Sequence, residues 1–105
     1  MIWYRNPYFG KTAEKSRERI MRKLEEESGW PFLLLITLPA TKENQLEILS
    51  PGNYRRQAAR KGETLIVGAA VGMREAKRLV EQIVGDVYRQ TGTANVREYF
   101  AQSDE

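Results

Sequence analysis

This 105-residue chain contains no cysteine and no histidine. The first absence removes disulfides and thiol chemistry. The second removes the commonest general base and the commonest metal ligand. No metal site and no cofactor are expected. Long apolar runs are also missing: the longest, Phe32 to Ile36, falls far short of a bilayer span. The opening MIWYRNPYFGK lacks the apolar core of a secretory signal. A soluble, cytoplasmic protein without a membrane partner is the expectation.

Catalytic signatures are absent as well. There is no G-x-S-x-G elbow, no H-E-x-x-H, no CxxC pair and no G-x-x-x-x-G-K-[ST]. Gly68 to Gly72 fails the G-x-G-x-x-G dinucleotide pattern. The remaining acid–base candidates, Glu63, Glu75, Asp86 and Tyr54, show no partner in the sequence. No catalytic residue is assigned, and a non-enzyme is favoured.

What is present is organised around Glu63 to Gly92. Leu65, Ile66 and Val67 form an unbroken apolar run, as expected of a strand covered on both faces. Gly68 inside that run marks a bulge or a close backbone approach. From Met73 the apolar period becomes helical: Met73, Ala76, Leu79, Val80, Ile83, Val84, Val87 and Tyr88 form one stripe. Gly92 supplies the left-handed stop. The spacing predicts a helix over 73–91.

Before this unit, a charged helix is predicted over 12–28, closed by Ser28-Gly29. A strand over 30–38 carries Leu33 and Leu35 on one face and Leu34 and Ile36 on the other. A shorter strand follows over 45–50 as its antiparallel hairpin partner. Ser50-Pro51-Gly52-Asn53 opens a short helix near 54–61. A last short helix is expected near 94–102, and 103–105 as a loose tail. Residues 1–10 are read as an aromatic arm, since Pro7 and Gly10 argue against regular structure.

The fold class expected is α+β, a two-layer sandwich in a single domain over 1–105. Its mixed sheet has three strands in order 2-1-3, with a 1-2-3 meander as the alternative. A crossover from the second strand is expected to set the third parallel to the first. Two long helices cover one sheet face only. The other, with Leu33, Leu35 and Leu49, then calls for the arm residues Trp3, Tyr4 and Phe9, or for a second copy of the chain. These six residues are the expected interface, and a homodimer or a complex with another protein the expected assembly.

The net charge of +3 is uneven. YRRQAARKG, over 54–62, carries four basic groups and no acid. Two binding sites follow as alternatives to an interaction module. One is an anion pocket at Gly72, Met73 and Arg74, where a helix start offers unpaired N–H groups. The other is a nucleic-acid site with Tyr54 stacking and Arg55, Arg56, Arg60 and Lys61 on phosphates. In order 2-1-3 both ends of the basic segment are placed away from Gly72, so the two sites are not expected to merge.

Overall fold

The structure, a computed structural model, describes residues 1–41 and 45–103. Its elements are β1 (Ile2–Phe9), α1 (Lys11–Glu14), α2 (Arg17–Glu25), β2 (Leu33–Thr37), β3 (Glu47–Leu49), α3 (Pro51–Lys61), β4 (Leu65–Val71), α4 (Met73–Thr91) and α5 (Val96–Ser103). The strands form one mixed sheet in the order β1-β4-β2-β3. The three expected strands therefore lie in the expected 2-1-3 order.

Two expectations are corrected at the sheet. The first ten residues are not an irregular arm: β1 pairs parallel with β4 and adds a fourth strand. Pro7 is accommodated because Tyr4 to Pro7 bulge out between the paired residues Trp3 and Tyr8. In addition, β4 is antiparallel to β2, not parallel to it. The β2–β3 hairpin has already reversed the chain, and the α3 crossover preserves the direction of β3.

Gly68 shows why β1 can close the sheet. A Cβ there would lie 2.8 Å from the Tyr8 carbonyl oxygen and 3.2 Å from Leu79. Only a residue without a side chain lets β1 and α4 approach together. The β2–β4 register shifts at the same place, between Ile36 and Thr37.

Helices cover both faces, so the sandwich has three layers, not two. On one face Ile36, Val67 and Ala70 meet Leu79, Ile83 and Val87 of α4 and Val96 and Phe100 of α5. On the other, Leu33, Leu35, Ile66 and Ala69 meet Ala13 of α1, Ile20 and Leu24 of α2 and Tyr54 of α3. Each large aliphatic side chain removed from water in these layers contributes about 2 kcal/mol. The aromatics of β1 divide between the faces. Trp3 stacks with Phe9 at 6.3 Å between centroids, while Tyr4 meets Phe100 edge-on at 4.8 Å.

The long first helix is also corrected: it breaks at Lys15–Ser16 into α1 and α2. Its stop is not Ser28-Gly29 but Glu27, which takes a left-handed φ of 58°. Ser28 N–H then donates to the Lys23 carbonyl at 2.8 Å and Glu27 N–H to that of Leu24 at 3.1 Å. This is a Schellman closure with glutamate where glycine is usual. Gly92 does end α4 as expected, at φ 76°. No described helix is long and apolar enough to cross a membrane. The expected tail lies outside the described residues beyond Ser103, which is the last residue of α5.

Candidate functional site

The carboxylate of Glu75 lies at the Gly72 turn, where an anion was expected. Gly72 takes φ 88° and gives its N–H to the Phe32 carbonyl at 2.8 Å. Glu75, third residue of α4, folds back over the turn and accepts from Val71 N–H at 2.7 Å. The same carboxylate accepts from Thr12 N–H at 2.6 Å and Ala13 N–H at 3.3 Å, in the first turn of α1. One side chain thus satisfies backbone donors of two chain segments, the end of β4 and the first turn of α1. Burial pushes its pKa up, but the Val71, Thr12 and Ala13 donors outweigh burial and hold it below the ordinary carboxylate value.

The sequence reading placed Gly72, Met73 and Arg74 at an anion site and left Glu75 without a partner. A glutamate three residues after a glycine turn was the signal for this cap. The identity of its second partner was not legible, because α1 reaches Glu75 only through the fold. Met73 and Arg74 are exposed. A groove of about 430 Å³ lined by Lys11, Arg74, Arg78 and Gln82 passes over Glu75.

The basic segment divides by helical phase. Tyr54 points inward and is 1% exposed, with its hydroxyl donating to the Thr64 carbonyl at 2.7 Å. Burial raises its pKa above the ordinary 10.0. It cannot stack on a base, which corrects that part of the nucleic-acid reading. Arg55 turns toward α2 and donates to the Leu24 carbonyl at 3.2 Å. Arg56, Arg60 and Lys61 remain on the exposed flank. Arg56 donates to the Asn53 side chain, and among the described residues the side chains of Arg60 and Lys61 make no hydrogen bond or ion pair.

That exposed flank forms an open groove of about 540 Å³ with the sheet edge. Leu49 of β3 lies on one side; Asn53, Arg56, Gln57, Arg60 and Lys61 of α3 lie on the other. Among the described residues no carboxylate lines it. The placement follows from topology. Ser50 caps α3 through Asn53 N–H at 3.1 Å immediately after β3, so the helix leaves the edge strand and crosses β2 toward β4. Its start therefore lies at the same end of the sheet as Gly72, not the far end. Only Arg60 and Lys61 lie at the opposite end.

A second cleft, of about 430 Å³, lies on the other flank of α3. Trp3, Met21 and Tyr54 contribute apolar surface to it, and Glu25, Glu27 and Glu63 acidic groups. Glu63 is paired with the Met1 ammonium at 2.9 Å. The other acid–base candidate, Asp86, accepts from the Tyr8 hydroxyl at 2.9 Å and pairs with Arg89. Burial first, then Asp86, raises the Tyr8 pKa. Each acid–base candidate from the sequence is thus engaged in a structural contact, and two of them, Tyr54 and Glu63, line the same cleft.

The expected interface residues are mostly consumed inside the chain. Leu33 and Leu35 are 3% and 0% exposed. They lie under α1, α2 and α3, so they are not surface. Trp3, Phe9 and Leu49 pack half-buried against the same cluster, and Tyr4 against the opposite one. The order 2-1-3 would leave the second and third strands as sheet edges, but the third, β4, is flanked by β1 and β2. The edge expected at the second strand remains: β3 pairs on one side only among the described residues.

Compared with protein-family models, with curated proteins and with solved structures, the chain matches none.

Proposed function

We propose that this protein is a non-enzymatic interaction module that binds an extended acidic segment of another protein along β3. The observation that carries this reading is the groove between Leu49 and α3, lined among the described residues by three cations, two side-chain amides and no carboxylate. It runs beside an edge strand. An incoming strand would take up the backbone groups of Glu47–Leu49, and its acidic side chains would lie under Arg56, Arg60 and Lys61.

Two features favour a peptide over a nucleic acid. The only tyrosine of the basic segment is buried, which removes the stacking platform. A backbone edge selects an extended polypeptide, whereas three cations alone make a small phosphate footprint. A second copy of the chain is the weaker choice of partner, because the sheet face that called for one is covered by α1, α2 and α3.

The test is titration of a labelled peptide alternating glutamate and valine, followed by fluorescence anisotropy. Binding is expected, with the Arg56→Glu/Arg60→Glu double variant losing about tenfold or more in affinity. Absence of binding, or binding indifferent to the double variant, overturns the proposal. Tighter binding of a single-stranded oligonucleotide of matched charge would return the groove to the nucleic-acid reading.

A further inference from the structure

Phe32 is the most exposed large apolar residue, at 81%, and it holds a left-handed φ of 59°. Phenylalanine is ill suited to that backbone region, and water contact gives nothing back. The residue caps a short loop, Gly29-Trp30-Pro31-Phe32, that leads into β2. Its carbonyl accepts from Gly72 N–H, which sets Phe32 beside the start of α4 and the half-exposed Met73. Arg19 lies over the Trp30 ring at 5.4 Å.

The exposed charges of α4 nearest this tip are basic. The first two turns of α4 expose Arg74, Lys77 and Arg78, and Lys11 shares a groove with two of them. The acid among them, Glu75, is turned back onto the N–H groups of Val71, Thr12 and Ala13. Glu25, Glu27 and Glu63 gather in the cleft beside the starts of β1 and β4, at the opposite end of the sheet from Phe32. Those three acids are therefore held away from the aromatic tip.

The shape of the tip decides between partners. None of the grooves described above is lined by Trp30 or Phe32. A protruding aromatic with a cationic skirt is complementary to a surface that yields around it while offering negative charge. We propose that this end of the protein docks peripherally on an anionic lipid bilayer, with Phe32 and Met73 at the headgroup boundary and Arg19, Lys11, Arg74 and Lys77 on acidic headgroups. The lack of a spanning helix does not bear on this, because interfacial docking needs only a small apolar tip and charge.

The test uses the full chain with Trp3→Phe, which leaves Trp30 as the single tryptophan. Vesicles of phosphatidylcholine alone are compared with vesicles containing phosphatidylserine. Co-flotation with the anionic vesicles only is expected, weakened by salt and accompanied by a blue shift of Trp30 emission. Phe32→Ser and Arg74→Glu/Lys77→Glu should each reduce binding roughly tenfold. Arg56→Glu/Arg60→Glu should leave it unchanged, which separates this surface from the α3 groove. Failure to float with anionic vesicles, or flotation insensitive to Phe32→Ser and to the charge reversal, overturns the proposal. So does Phe32-dependent capture of a soluble acidic peptide with no vesicle binding.

Discussion

Gly10 and Glu75 occupy one space: a methyl group on Gly10 would lie 2.5 Å from the Glu75 Cγ. Gly10 holds the chain there by donating to the Ala69 carbonyl at 2.9 Å, at the end of β4. Gly10→Ala must therefore push the carboxylate off three backbone donors. The expected cost is about 2–3 kcal/mol in urea denaturation. Glu75→Ala should cost a similar amount, and the double variant less than the two together, since each removes the obstacle to the other.

The same carboxylate sets a pH dependence. Its folded pKa lies below the ordinary 4.5, so its contribution is complete above that value. It is lost as pH falls through the lower folded pKa, where protonation gives up the charge-assisted bonds. Thermal melts between neutral and strongly acidic pH should show a steeper acid loss for the native chain than for Glu75→Gln. Parallel curves would refute this assignment.

Glu27 holds a left-handed conformation that glycine adopts without steric cost. Its side chain is exposed. Glu27→Gly should stabilise the protein by about 0.5–1 kcal/mol and raise Tm by a few degrees. A fall in Tm would mean that Glu27 makes a contact worth more than its backbone strain.

Tyr54 and Tyr8 carry the opposite pH sign. Both have folded pKa values raised above 10.0 by burial, so their contributions are complete below that value. Stability is then lost as pH rises through the folded values, because the phenolate forms more easily in the unfolded chain. Tyr54→Phe should cost about 1 kcal/mol at neutral pH by losing the bond to Thr64, and should blunt alkaline unfolding. It should leave peptide binding at α3 unaltered.

The glycine of β4 gives a direct test of sheet closure. Gly68→Ala drives a Cβ into the Tyr8 carbonyl, which is backbone and cannot swing aside. The expected cost is about 2–4 kcal/mol, with β1 amides losing hydrogen-exchange protection before those of β2. Uniform loss across the sheet would count against it.

These results show what local pattern can and cannot specify. β2, β4 and α4 were legible because continuous apolar runs and a 3.6-residue stripe each have one dominant structural solution. The stop at Gly92 followed from its backbone freedom. β1 was missed because Pro7 reads as a breaker, and the bulge that tolerates it exists only against Gly68. The break in the first helix was equally hidden. No glycine or proline marks Lys15–Ser16, and α1 is set by its docking onto Glu75. At the site, composition located the basic segment, but helical phase assigned its members. Tyr54 went to the core, Arg55 to the end of α2, and Arg56, Arg60 and Lys61 to the groove. The strand direction error came from the crossover alone, since a hairpin followed by a crossover fixes β4 antiparallel to β2.

The parallel pairing of β1 with β4 has a consequence in time. Ile2 finds its partner at Leu65 and Phe9 at Ala69. β1 is made before β4 and must wait for the residues between them before it has a strand to join. Until then Trp3, Tyr4, Tyr8 and Phe9 stay without their final cover, and closing so long a loop is the slow step for contacts of this separation. The β1–β4 pairing is therefore expected to form late, and the aromatics of β1 stay unsheltered at least until β4 has been made.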